Sequence, residues 1–205
     1  LEQFDLKALG HNSAQYIHLT AEMEKRVFAD RAEYLGDPDF VPQRIGELLA
    51  DEYIGRRALD VNIGSISPAT GVMPGLEGHD TTHFSIVDRD GNAVAVSYTL
   101  NTDFGSGVVV GGGGFLLNNE MDDFSAKPGV ANYYGVTGAE ANAIAPGKRM
   151  LSSMSPTILV KDGEVSLVVG SPGGATIITS VYQAIVNVLD FGMTAEQAVA
   201  ATRFH

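Results

Sequence analysis

Thr81 opens the run Thr81-Thr82-His83-Phe84-Ser85, where a loop-like stretch gives way to a β-prone one. A threonine hydroxyl attacks a carbonyl only with the help of a base, and no Ser-His-Asp order is visible here. A threonine that becomes N-terminal carries its own base, because a free α-amine has a pKa of about 7.7–8.0. The plain alternative is a threonine that merely begins a strand. A second candidate is Gly170-Ser171-Pro172-Gly173-Gly174, set between a β-prone run and a helical one. Glycines let the backbone turn sharply, and N–H groups at a helix start favour negative charge. Such a loop can hold a phosphate, a carboxylate or a reaction oxyanion, or serve simply as a strand-to-helix turn. It lacks the Gly-Lys-Ser/Thr ending of a phosphate-binding loop.

Two further clusters bear on chemistry. Asn118-Asn119-Glu120-Met121-Asp122-Asp123-Phe124 is dense in carboxylates and carboxamides for a chain with 19% charged residues. It suits an ammonium group, a solvated turn or a cation loop, although the calcium-loop spacing is not met. Ser152-Ser153 offers paired hydroxyls just ahead of a β-prone run. The glycine-rich run from Gly105 to Gly114 reads as a flexible crossing.

These residues need elements to hold them. Apolar Tyr16, Leu19, Met23 and Val27 recur at helical steps, which predicts a helix capped by Asn12 with Gln15 completing a capping box. Glu22 and Arg26, four apart, are expected as a surface pair. That helix stops near Gly36-Asp37-Pro38, and a second is expected from Pro42 to about Leu59 with Ile45, Leu48, Leu49 and Tyr53 inward. From Asn62 to Asp80 the chain is rich in Gly, Ser and Pro and reads as a linker or exposed loop. Two β-hairpins follow, over 82–99 and 157–169, with Asp-Gly turns and a buried-looking apolar set in each. A helix from about Ala175 to Phe191, ended by Gly192, and another opened by Thr194 with Gln197 as capping-box partner complete an α+β pattern.

Composition narrows the partners. The 205 residues carry a formal net charge of -12, which disfavours nucleic acid because phosphate contacts need clustered Lys and Arg. Small molecules or proteins remain. The absence of Cys excludes thiol nucleophiles, disulfides and Cys-based zinc sites, and the five histidines show no ligand spacing, so no metal site is expected. No apolar run approaches the roughly 18 residues of a membrane helix. The start at Leu1-Glu2-Gln3 has neither an initiator Met nor a signal sequence and reads as an internal start.

Thr-Thr-His-Phe-Ser (81–85), Tyr-Thr-Leu-Asn-Thr (98–102), Leu-Leu-Asn-Asn-Glu-Met-Asp-Asp-Phe-Ser (116–125), Leu-Ser-Ser-Met-Ser-Pro-Thr (151–157) and Gly-Ser-Pro-Gly-Gly (170–174) together resemble the small subunit of bacterial gamma-glutamyltranspeptidases. Asp30-Arg31-Ala32-Glu33-Tyr34-Leu35-Gly36-Asp37-Pro38 resembles the end of that family's large subunit, so the similarity spans nearly the whole chain. The resemblance implies an N-terminal-nucleophile hydrolase, a four-layer αββα sandwich, present here in part. Residues 1–80 would be the C-terminal part of the large subunit and 81–205 the small-subunit catalytic region, shortened at its C-terminal end.

It also implies roles. The precursor, a zymogen, would cut itself at the Asp80–Thr81 bond without a cofactor. Thr81 would then attack the gamma-carbonyl of glutathione or a related gamma-glutamyl compound, and the acyl-enzyme would pass to water or to an acceptor amino acid or peptide. Thr99 would hydrogen-bond the nucleophile, and Gly173 and Gly174 would form the oxyanion hole. Asn101, Glu120 and Asp123 would surround the substrate's α-amino group, Ser152 and Ser153 its α-carboxylate, and Tyr134 would wall the pocket as a lid. The resemblance places such a protein in the periplasm or outside the cell. The family's carboxylate-binding arginine lies upstream of these residues, and its later strands lie beyond His205. Weak binding and impaired self-cleavage are therefore expected of these residues alone. Cephalosporin acylase and poly-gamma-glutamate depolymerase activities occur on the same fold. A non-catalytic anion-binding module using the 170–174 loop is the rival from another class.

Overall fold

A computed structural model describes residues 1–68, 81–133 and 135–205. The linker expected over 62–80 therefore lies mostly outside the described residues, and so do Asp80 and Tyr134.

The N-terminal third is helical: α1 (Leu6–Leu9), α2 (Ala14–Tyr34), α3 (Ile45–Leu48) and α4 (Asp51–Leu59). The cap of α2 is Ser13 rather than Asn12. Ser13 has extended backbone angles, and its Oγ accepts from the Tyr16 N–H at 3.1 Å. Asn12 instead turns the chain in the left-handed region at φ 53° and donates its Nδ2 to the Thr202 carbonyl at 2.8 Å. Tyr16 and Leu19 are buried as the spacing predicts, whereas Val27 is exposed.

Glu22 corrects a second expectation. It is 1% exposed and accepts from Lys25, Arg26 and the Ser67 N–H, so the pair with Arg26 is an interior one. Burial would raise its pKa, but these hydrogen bonds overcome that cost and hold it down at about 2. Sequence spacing identifies Arg26 as a partner, but neither Lys25 nor the Ser67 N–H that closes over the carboxylate. The helix expected from Pro42 to Leu59 is two helices broken at Leu49–Ala50, with Ile45 and Leu49 at the surface. Neither α3 nor α4 has a side-chain cap, and four residues of α3 gain little from propagation.

The hairpins fall where the sequence puts them. Strands β1 (Thr81–Val87) and β2 (Ala93–Thr99) pair antiparallel, with Thr81 opposite Thr99 and His83 opposite Ser97. Their turn is tied by Asp88, which accepts from the Asp90 and Asn92 N–H groups, each at 2.9 Å. Strands β3 (Thr157–Lys161) and β4 (Glu164–Val169) meet through Asp162 and Gly163, both at positive φ, as a two-residue hairpin turn requires.

The expectation of a buried apolar set fails for the first hairpin. Phe84, Ile86, Val94 and Tyr98 are 46–64% exposed, while the half-buried face carries Thr81, His83, Ser97 and Thr99. A strand alternates its side chains, so placing this small, polar face inward sends the large apolar one outward. The inward face meets the second hairpin: β4 touches both β1 and β2. No ladder joins the two sheets among the described residues, and the His83 ring, rather than a strand edge, abuts Gly170.

Helices α5 (Ile177–Leu189) and α6 (Ala195–Ala200) follow β4. Gly192, at φ 68°, ends the α5 segment, and Thr194 and Gln197 form the expected capping box. Val186 of α5 joins Leu6, Tyr16 and Leu19 in one core, and the Tyr16 ring stands edge-on to Phe191 at 5.4 Å. Between the hairpins, residues 100–156 are largely irregular, with short 3₁₀ turns at Glu120–Asp123 and Glu140–Asn142. The glycine-rich run is no loose crossing: it folds back on itself through Val110 N–H to Phe115 O and Leu117 N–H to Val108 O, both 2.9 Å.

Candidate active site

The ladder of the first hairpin sets Thr81 directly across from Thr99, on the same face, where opposed Cβ atoms stand about 4.5–5.5 Å apart. The Thr99 Oγ1 accepts from the Asn101 N–H at 2.8 Å. That bond, with Asn101 Nδ2 donating to the Asn119 carbonyl at 3.2 Å, holds Asn101 in the left-handed region at φ 78°. A buried asparagine kept in this sparsely populated conformation marks a point where the chain is over-determined.

The glycine loop reaches the same place from β4. A Cβ on Gly170 would lie 2.1 Å from His83 Nδ1, so only glycine lets the strand end pass over that ring. His83 is fixed by Ser97 Oγ at Nδ1 and Ser85 Oγ at Nε2, both 3.0 Å, and burial lowers its pKa. The imidazole is therefore biased toward its neutral form. Beyond it, Gly173 and Gly174 take φ values of 129° and 54°, conformations that side chains resist. Thr176 closes the turn through its N–H and its hydroxyl, both donating to the Gly173 carbonyl, and α5 begins one residue later. The amide groups of a 3₁₀ turn leading into a helix are oriented as an anion would need them.

The third wall is loop, and side chains rather than ladders hold it. Asn142 is buried; its Nδ2 donates to the Asp123 carbonyl at 2.7 Å, and its Oδ1 accepts from the Leu151 N–H at 3.0 Å. Asp37 accepts from the Arg149 N–H at 2.8 Å and from its Nη2 at 2.6 Å, which anchors the approach to Ser152. Those hydrogen bonds hold the Asp37 carboxyl far below the usual range. Arg31, on the last turn of α2, donates from Nη2 to the Ser153 hydroxyl at 3.1 Å and to the Ser152 carbonyl at 3.4 Å.

The pocket so enclosed is lined by Thr81, Thr99, Asn101, Asp123, Ser152, Ser153 and Gly174, seven of the ten residues singled out from sequence, together with Arg31. Gly173 sits in the same turn behind Gly174. Glu120 stands off the pocket wall but is hydrogen-bonded to Asp123. Burial and the neighbouring charge of Asp123 raise Glu120 to about 7, and burial also raises Asp123, so the two carboxyls tend to share a proton. Tyr134 lies outside the described residues. Arg31, Asn142 and Asp37 carry no site role that the sequence alone announces. Arg31 and Asp37 lie in the run 30–38 that carried part of the resemblance, but nothing in their spacing announces what they touch.

Chemically the pocket joins a hydroxyl pair, a turn of amide donors, a carboxyl pair and a cation-backed serine pair. Groups of these types can serve as a nucleophile, an anion cradle, an ammonium acceptor and a carboxylate donor set.

Comparison with known proteins identifies the family. The chain is 65% identical over 201 residues to the glutathione hydrolase proenzyme of Pseudomonas aeruginosa, covering 98% of this chain and 36% of that relative's length. Among solved structures, the gamma-glutamyltranspeptidase of Pseudomonas nitroreducens complexed with L-DON is 69% identical, at a TM-score of 0.59 over 60% of this chain and 64% of that one. The cephalosporin acylase of Bacillus halodurans superposes over 94% of this chain and 33% of its own, at 26% identity and a TM-score of 0.74. The fold is thus that of the N-terminal-nucleophile hydrolases, and the described helices and hairpins belong to its αββα sandwich. The family model of gamma-glutamyltranspeptidase matches residues 1–205, and the chain belongs to that family.

Proposed function

We propose that these 205 residues are the part of a gamma-glutamyltranspeptidase proenzyme that straddles its own cleavage site, with 1–80 ending the large subunit and 81–205 forming most of the catalytic one. The observation that carries the reading is the single pocket shared by Thr81, Thr99, Gly174, Asp123 and the Ser152–Ser153 pair.

Breaking the Asp80–Thr81 bond frees the Thr81 amine, which takes the proton of the Thr81 hydroxyl as Oγ attacks the gamma-carbonyl of the donor. The developing oxyanion is met by amide N–H groups at Gly173 and Gly174, and the leaving amine accepts the proton. Water, or the amino group of an acceptor, then attacks the glutamyl ester and restores the hydroxyl. Thr99 supports the nucleophile from the facing strand. Asn101, Asp123 and Glu120 take the donor's α-ammonium, and Ser152 and Ser153 its α-carboxylate. Tyr134 is assigned the lid role by resemblance, and the periplasm or the cell exterior is the proposed compartment. Glutathione is the proposed donor class, because a carboxyl pair beside a serine pair suits a free α-amino acid end. A glutaryl amide of the kind an acylase uses would leave the carboxyl pair without a cation.

The test is the full-length protein assayed with a gamma-glutamyl anilide and with the matching glutaryl anilide. Preferred turnover of the first, by a protein cut so that Thr81 is N-terminal, supports the reading. Preferred turnover of the glutaryl compound assigns it instead to the acylases, and an uncut, inert protein leaves only an anion-binding role.

A further inference from the structure

Arg31 lies 50 positions before Thr81, yet it lines the same pocket. Its Nη2 donates to the Ser153 hydroxyl at 3.1 Å and to the Ser152 carbonyl at 3.4 Å, and its charge acts on Asp123. The backbone around it is also stitched to the opposite wall: the Ala139 N–H donates to the Ala32 carbonyl at 3.0 Å, and a Cβ on Gly36 would lie 2.2 Å from the Ala141 carbonyl oxygen.

A guanidinium can only donate. Once Ser153 Oγ accepts from Arg31, its own proton must go to some other acceptor, and the open side is the pocket. The serine becomes a dedicated donor, polarised by the cation behind it. The same cation faces Asp123. Glu120 and Asp122 approach Asp123 from its own turn, and Arg31 approaches from α2. The β1 wall brings the Thr81 α-amine once the chain is cut, a group common to all the variants, and the other described walls, from Thr99 and Asn101, Leu151 to Met154, and Gly174 to Ile177, bring no charged side chain.

We propose that Arg31 is a positioning residue of the acyl-donor site, which fixes the Ser153 hydroxyl as a donor toward an anionic group of the substrate and supplies the counter-charge to Asp123. This rests on the functional reading above. Burial raises the Asp123 pKa and Arg31 opposes that rise, so removing the cation leaves Asp123 protonated to higher pH.

The experiment is steady-state kinetics of the full-length protein on a gamma-glutamyl anilide, with Arg31→Gln, Arg31→Lys, Ser153→Ala and the Arg31→Gln/Ser153→Ala double variant. Each is first checked by mass spectrometry for cleavage before Thr81. Arg31→Gln should raise KM about tenfold or more while kcat changes by no more than about threefold. Ser153→Ala should do the same, and the double variant should be no worse than Arg31→Gln alone, because Arg31 acts on recognition through that hydroxyl and Arg31→Gln already removes both of its effects. The acid limb of kcat/KM should move to higher pH in Arg31→Gln and stay in place in Arg31→Lys and Ser153→Ala. An Arg31→Gln protein that is cleaved, with KM and acid limb unchanged, overturns the proposal, as do additive effects in the double variant. Should Arg31→Gln fail to fold or cleave, Ser153→Ala and Arg31→Lys decide: a raised KM in both upholds the proposal, and an unchanged KM in either overturns it. A wild-type protein that ignores the anilide sinks the functional reading itself, a result distinct from a normal wild type with silent variants.

Discussion

The two ends of the pocket are built by different means. At the proposed reacting end, backbone does the positioning: the β1–β2 ladder sets Thr81 against Thr99, and β4 delivers the glycine turn over His83. At the proposed recognition end, Asp123 closes a short 3₁₀ turn and Ser152 and Ser153 sit on irregular chain, and Asn142, Asp37 and Arg31 pin both by side-chain hydrogen bonds. A ladder fixes position through many bonds that no single side chain can remove. A pinned loop depends on a few named atoms. Damage to the reacting end should therefore appear in kcat, and damage to the recognition end in KM.

The largest expected effect belongs to the reacting end. Thr81→Ala should abolish both chain cleavage and turnover, a loss of about 10⁴-fold or more, measurable by mass spectrometry and by anilide hydrolysis. Next is Gly170→Ala, whose methyl cannot coexist with the His83 ring. Either the ring or the glycine loop must move, so kcat should fall about 10²-fold while KM stays nearly constant, with about 1–3 kcal/mol lost in a denaturant melt. A kcat loss no larger than that of a remote surface variant would break the comparison.

Asn142→Ala tests the other end. It leaves the Leu151 N–H and the Asp123 carbonyl without their partner, so about 2–4 kcal/mol of stability should go, and KM should rise about tenfold with kcat little changed. The smallest effect is expected away from both ends. Glu24 is raised to about 7 by burial, and among the described residues its Oε1 has no hydrogen-bond partner. A carboxyl with a raised folded pKa contributes stability below its unfolded value near 4.5 and loses it as pH climbs through about 7. Glu24→Gln should therefore stabilise the protein by about 1–3 kcal/mol at pH 8, have no such benefit near pH 4, and leave both kcat and KM alone. Glu120 titrates in the same window, so the wild type should keep some of this pH dependence after the substitution.

The same contrast explains what could be read from sequence. Asp88 through Asn92 and Asp162-Gly163 announce their turns, and the β-prone runs that flank them placed β1 to β4 within a residue or so. Alternation does not say which face is inward, so the small face of His83 and Ser97 was not anticipated there. On the recognition end, motif resemblance supplied Asp123, Ser152 and Ser153, but their supports were invisible. Arg31 and Ser153 are 122 positions apart, Asp37 and Arg149 are 112 apart, and no local period links either pair. The burial of Glu22 was missed for the same reason, since Ser67 closes over it from 45 positions away.

The central claim is that Thr81 is the nucleophile of an autoprocessed acyl-transferring enzyme. Mass spectrometry of the purified full-length protein, quenched during turnover of a gamma-glutamyl donor, tests it most directly. The expected result is a catalytic fragment beginning at Thr81 and carrying one glutamyl group that maps to that residue. An active protein cut elsewhere, or an acyl group on any other side chain, would contradict it.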